Sequence, residues 1–131
     1  MSTSTYDPVA LTVVDNYLTR CCRDLGVTMS SALLVLGDRL GLYKAMAAAG
    51  PVTPAELAAR TETAVRYVRE WLDAQAAAGY VTYDAQAGRY TLPPEQAFAF
   101  ADDQSPAGVA GAFHIARAMW SSLDKMESNF R

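Results

Sequence analysis

The sequence predicts a mainly α fold with a small β-hairpin: a winged helix-turn-helix with flanking N- and C-terminal helices. Three observations predict it. A capped short helix, a longer helix and two short strands follow one another between Thr53 and Leu92. Stretches with the apolar period of amphipathic helices lie on both sides of that block. Runs of strand formers are confined to residues 80–83 and 89–92, enough for one hairpin.

Residues 8–25 read as a helix stopped by Gly26. Leu11, Val14, Leu18, Cys21 and Leu25 recur at alternating three- and four-residue steps, the spacing of a coiled-coil seam. Ala10, Val13 and Tyr17 widen the stripe. An amphipathic helix at a chain end needs a surface to lie on. A partner subunit and the chain's own domain are both open at this point. Residues 28–40 form the next helix. Ala32, Leu33, Leu34, Val35 and Leu36 make it apolar all round, so it is buried on more than one side. Gly41 punctuates, and Leu42–Ala49 is a further short helix that Gly50-Pro51 ends.

Thr53-Pro54-Ala55-Glu56 is the sharpest local signal. Thr53 can accept from the free N–H groups of a new helix, Pro54 suits its first position, and Glu56 can reach back to the cap. The helix so opened covers residues 54–60. After a turn at Thr61-Glu62-Thr63, a second helix covers 64–78 and stops at Gly79. Val65, Val68 and Leu72 line one of its faces, widened by Trp71 and Ala76, while Arg66, Arg69, Glu70 and Asp73 lie away from it. Asp84-Ala85-Gln86-Ala87-Gly88 supplies the turn between the two strands.

From Pro93 the chain returns to helix. A short one covers residues 95–101 and breaks at Asp102-Asp103. Ser105-Pro106 then reads as cap and first-turn proline of a helix that runs to residue 121. Val109, Ala112, Ala116, Met119 and Leu123 repeat the alternating three-four step, with Phe113 and Trp120 on the adjoining stripe. The winged-helix block leaves little to cover Phe113, Met119 and Trp120. That points to a partner subunit, another domain or a bound substrate, with core packing the plain alternative for each.

Composition narrows the function. At 131 residues the chain has room for one domain and some extra helices. A formal charge of −3 gives no electrostatic reason to expect nucleic acid or an anionic membrane as partner. No apolar run approaches the roughly 20 residues that span a bilayer. Residues 1–7 lack the basic-then-apolar pattern of a secretory signal, so a cytoplasmic protein is expected. Cys21 and Cys22 are neighbours, about 100° apart on a helix, where a disulfide would be strained. With no further soft ligands at metal-site spacing, they read as buried or half-buried thiols, and no metal site is expected.

Catalytic chemistry is missing from the chain. A cofactor-binding core needs a strand followed by a glycine-rich turn. The close glycine pairs here, Gly108 with Gly111 and Gly37 with Gly41, sit in helical surroundings. His114 is the single histidine, one turn from Arg117 on a face that also carries Ser121. It reads as a surface or interface residue, or as a polar contact in a pocket that another domain completes. No catalytic, cofactor-binding or metal-binding residues are assigned.

Winged helices often enter a major groove, and their affinity comes largely from neutralised phosphates. Arg66 and Arg69 would be the DNA contacts of that rival reading. They are balanced by Glu70 and Asp73 on the same helix, and residues 51–92 hold four basic and five acidic side chains. A module for a heterologous protein partner is a third reading.

Several phrases together resemble a known family. Leu36-Gly37-Asp38-Arg39-Leu40-Gly41-Leu42-Tyr43, Thr53-Pro54-Ala55-Glu56-Leu57-Ala58 and Arg66-Tyr67-Val68-Arg69-Glu70-Trp71-Leu72 come first. Gln75-Ala76-Ala77-Ala78-Gly79-Tyr80-Val81 and Arg89-Tyr90-Thr91-Leu92-Pro93-Pro94-Glu95 follow in order. They resemble the N-terminal region of actinobacterial class I S-adenosylmethionine-dependent methyltransferases with a winged-helix domain, some of which carry the label transcriptional regulator. The likeness covers roughly residues 30–131. One departure is Glu62, where the family pattern usually has glycine.

The resemblance implies an N-terminal dimerisation helix over 1–27, a winged-helix domain over 28–93, and linker helices over 94–131. These would lead to a Rossmann-like domain that binds S-adenosylmethionine. It also implies a homodimer, with Leu11, Val14, Leu18, Cys21, Leu25, Leu33 and Leu36 at the interface. The module would act as a lid over a pocket for a small-molecule methyl acceptor. Phe113, His114, Met119 and Trp120 are the expected pocket contacts.

Overall fold

A computed structural model describes residues 8–106 and 108–131. Residues 1–7, read above for a secretory signal, lie outside the described residues, as does the side chain of Ala10. The elements run α1 (Pro8–Arg39), α2 (Leu42–Ala49), α3 (Pro54–Thr61), α4 (Val65–Ala77), β1 (Thr82–Asp84), β2 (Arg89–Thr91), α5 (Pro94–Phe100), α6 (Ala110–Ser121) and α7 (Leu123–Asn129). The winged helix-turn-helix with flanking helices is therefore the observed fold.

The first helix departs from expectation. It does not stop at Gly26 but continues to Arg39, 32 residues or about 48 Å of helix. A glycine permits the left-handed conformation that ends a helix but does not impose it. No proline follows Gly26, and the next turns close normally, with Thr28 Oγ1 donating to the Asp24 carbonyl at 2.8 Å and Ser31 Oγ to that of Thr28 at 2.6 Å. The true break comes at Gly41, in the left-handed region at φ 68°. There α2 turns off at 66° to α1.

The core forms where α2, α3 and α4 meet the last turns of α1. Leu34, Leu42, Tyr43, Met46, Leu57, Val68, Trp71 and Leu72 are buried together. Tyr43 donates its hydroxyl to Gln75 Oε1 at 2.6 Å, which satisfies a buried polar pair, and burial pushes the phenol pKa up. Phe100 of α5 stacks on Tyr43 with ring centroids 5.0 Å apart and so closes the core from the C-terminal side.

The capping box at α3 forms as read. Glu56 N–H donates to Thr53 Oγ1 at 3.3 Å, and Thr53 N–H donates to Glu56 Oε2 at 2.8 Å. Its far end takes an unusual conformation. Glu62 sits at φ 52°, the sole non-glycine with positive φ among the described residues. The left-handed region costs a residue with a Cβ about 1–2 kcal/mol. Glycine would be free of that strain but would gain unfolded-state entropy worth about 0.4–1 kcal/mol. Glu62→Gly is therefore expected to raise the unfolding free energy by about 0.5–1 kcal/mol in urea titration.

The hairpin is antiparallel, with Thr82 opposite Thr91, Tyr83 opposite Tyr90, and Asp84 opposite Arg89. A third segment joins it that the residue pattern did not announce. Val52 bridges Tyr90 through backbone bonds of 2.9 and 2.8 Å, which fastens the wing to the start of α3. Arg89 adds a forked contact to Glu56, at 2.8 and 3.0 Å. With the Thr53 backbone bond, that guanidinium lowers the Glu56 pKa from 4.5 to about 2. A depressed carboxylate pKa contributes stability above 4.5 that fades as pH falls towards 2. Wild type is expected to exceed Glu56→Gln in urea midpoint at neutral pH, and the gap to close across that acid window. The pair is half-exposed, so added salt should narrow the gap as well.

The helix expected from Ser105-Pro106 begins later, at Ala110. Residues 102–106 form turns instead, with Ser105 N–H bonded to the Asp102 carbonyl and Gly108 N–H to that of Ser105. Val109 N–H donates across to the Ala99 carbonyl at 3.0 Å, which ties the chain to α5 before α6 can start. Gly108 and Gly111, poor helix formers, do not oppose this. After Ser121 a short seventh helix follows, Leu123–Asn129.

Candidate interface helix and groove

The N-terminal part of α1 stands apart from the core. Every residue from 11 to 27 is exposed. Leu11, Val14, Leu18, Cys21 and Leu25 thus form an uncovered apolar seam, with Leu18 57% accessible. The expectation that Cys21 and Cys22 are buried or half-buried is corrected: both are free, exposed thiols, because nothing among the described residues covers this part of the helix. Leu33 and Leu36 lie further along α1, beyond this exposed stretch. Leu33 packs against the protein's own core, and Leu36, partly exposed, faces α6.

Helix α6 lies along the C-terminal half of α1. One anchor is a hydrogen bond between His114 Nε2 and Asp38 Oδ2 at 2.8 Å, both side chains about one-third exposed. The residue pattern gave His114 no partner, and no local signal could have, since 76 positions separate the two. The second anchor is Phe113, half-buried and stacked 6.3 Å from Phe100.

Between the two helices runs a groove of about 350 Å³. Its apolar wall is formed by Ala32, Val35 and Leu36 of α1 and by Phe113, Ala116 and Trp120 of α6, with Arg39 and Arg117 also lining it. Of the four expected pocket contacts, the groove brings together Phe113 and Trp120. His114 is engaged with Asp38 instead, and Met119 is exposed without lining the groove. Arg39 and Arg117 were not singled out as contacts, although a charge recurring on an apolar stripe was a signal available in the sequence.

Arg66 and Arg69 are both exposed on α4. They share that helix with Glu70 and with Asp73, which accepts the hydroxyl of Tyr90. Burial and that carboxylate raise the Tyr90 pKa to about 12. Asp73 is thus committed to holding the wing against α4. Among the described residues no group of His, Cys, Asp and Glu could hold a metal ion. No single described helix is long and apolar enough to cross a membrane.

Comparison with known proteins agrees with this geometry. The model of the Rv2258c-like winged HTH domain matches residues 28–101. The chain belongs to that family. In this Rv2258c-like domain the match starts at Thr28, just after the exposed stretch of α1, and ends at Ala101, just after α5. The seam and the α6 side of the groove fall outside it. No curated protein matches the sequence.

Solved structures that contain the same fold include three bound to SAM or SAH. A PigF structure with SAH superposes with a TM-score of 0.69 at 20% identity, covering 85% of this chain and 37% of that one. Human N-acetylserotonin methyltransferase, in complex with SAM, gives 0.64 at 20% identity, over 95% and 35%. CalO1, a methyltransferase in calicheamicin biosynthesis in its SAH-bound form, gives 0.58 at 24% identity, over 83% and 29%. The Rv2258c-like chain thus spans about a third of the length of these structures.

Proposed function

We propose that this chain is the dimerisation and substrate-capping module of a cytoplasmic S-adenosylmethionine-dependent methyltransferase, and is catalytically silent by itself. The observation that carries the reading is the exposed seam of α1, which extends from the winged-helix core with its apolar side chains uncovered. Contiguous apolar surface of this kind marks a contact. Support for the parent activity comes from the fold shared with the SAM- and SAH-bound structures. In this reading a second copy covers the seam. The groove between α1 and α6 contributes one wall of the acceptor pocket, while a separate Rossmann-like part binds S-adenosylmethionine. The module's service is to shape the pocket and keep water out of it. Its balanced charge on α4 does not favour a phosphate-reading role.

The test is analytical ultracentrifugation of the purified chain. A dimer at micromolar concentration is expected. A monomer throughout that range would remove the dimerisation reading.

A further inference from the structure

We propose that the α1–α6 groove is selective for an aromatic acid: a flat apolar ring system carrying a carboxylate. This rests on the capping reading above and names the class of ligand that the cap would hold.

The argument is one of unspent donors. The groove's hydroxyl groups are already committed to their own helices. Thr28 donates to the Asp24 carbonyl, Ser31 to that of Thr28, and Ser121 to that of Arg117. They can accept but have no proton left to give. The two guanidinium groups are different. Neither Arg39 nor Arg117 has an ion-pair or side-chain hydrogen-bond partner among the described residues, and no acidic side chain lines the groove. Asp38, the neighbour of Arg39 in sequence, is engaged with His114. Two uncompensated positive charges therefore border an apolar cleft in a protein whose net charge is −3. A guanidinium fork matches a carboxylate in shape and charge.

The ring is argued from the wall. Phe113 presents a half-buried aromatic surface, and Trp120 is 62% accessible, a large indole left uncovered where the cleft opens. Stacked or edge-on ring contacts would add to plain area burial there. The volume, about 350 Å³, lies at the lower end of small-molecule sites and suits a fused pair of rings with one substituent.

Calorimetric titration of the full chain with 2-naphthoate, its neutral analogue 2-naphthamide and ring-free octanoate tests this. The naphthoate is expected to bind about tenfold or more tightly than either of the others, the order expected for a charge-assisted bond. Arg39→Gln and Arg117→Gln, with unchanged circular dichroism, should each weaken naphthoate about tenfold and leave naphthamide alone. Equal affinity for acid and amide, indifference to both arginine changes, or no naphthoate binding would overturn the proposal. So would octanoate that matches naphthoate. Binding that disappears as rising protein concentration drives self-association would show the groove filled by a second copy, which also overturns it. Sedimentation separates the two readings. A dimer that ignores naphthoate removes this inference alone, and a monomer that selects the acid removes the dimer alone.

Discussion

Replacing Trp71 by alanine should lower the unfolding free energy by about 3–5 kcal/mol, among the largest losses a single core truncation produces. The indole is 3% accessible and does three things at once. It fills the space between α4 and α1, meets Tyr43 edge-on with centroids 5.1 Å apart, and donates Nε1–H to the Leu33 carbonyl at 2.9 Å. Gly37 is what lets it come so close. A Cβ at that position would stand 2.4 Å from Trp71 Cζ2 and 2.7 Å from Tyr43 Cε2, distances that force something to move. Gly37→Ala therefore trades a helix-propensity gain of about 1 kcal/mol against an overpacking loss of about 1–3 kcal/mol. We expect a net loss in the wild-type background and a smaller one in Trp71→Ala. Relief is partial, because the Tyr43 ring remains. Urea unfolding of the four proteins reads the coupling. If the alanine protein proves too unstable to fold, Trp71→Phe takes its place in the same cycle. Strict additivity would mean that the two residues do not press on one another.

The second large effect falls on association rather than folding. Leu18→Glu should abolish the dimer at concentrations where the wild type is fully paired. Leu18 lies mid-seam and is 57% accessible, so in a lone chain the substitution touches nothing and should change stability by no more than about 0.5 kcal/mol. In a two-fold dimer each interface residue appears twice. Burying two leucines contributes about 3–6 kcal/mol, and the change replaces them with two like charges. A loss of two orders of magnitude or more in the dimer constant, about 3 kcal/mol, is the outcome to look for by sedimentation equilibrium. Tyr67→Glu is the control. That tyrosine is 72% accessible but lies on α4, away from the seam, and its change should leave pairing intact. Unaltered pairing in Leu18→Glu would mean that α1 is not the interface.

What could be read without coordinates was what neighbouring residues decide among themselves. Thr53, Pro54 and Glu56 settle a helix start within four positions, and the wing strands were placed within two residues of where they lie. The errors share a physical cause. Gly26 and Ser105-Pro106 each permit a boundary, yet whether it forms depends on what the adjoining backbone can bond. The Val109 tie to Ala99 is invisible in a local window. The same holds for the site. Phe113 and Trp120 were legible as surplus apolar residues, whereas the pairing of His114 with Asp38 depends on how α6 comes to rest on α1. Gly37 was noticed only as one of a pair of glycines. Its role as the recess for an indole required both helices in place.

The uninterrupted course of α1 has a mechanical consequence. One rigid shaft carries the seam in its N-terminal part and a wall of the cleft over its last three turns. No loop intervenes to absorb torque, so leverage applied at Leu11 is delivered to Arg39 as a change of angle.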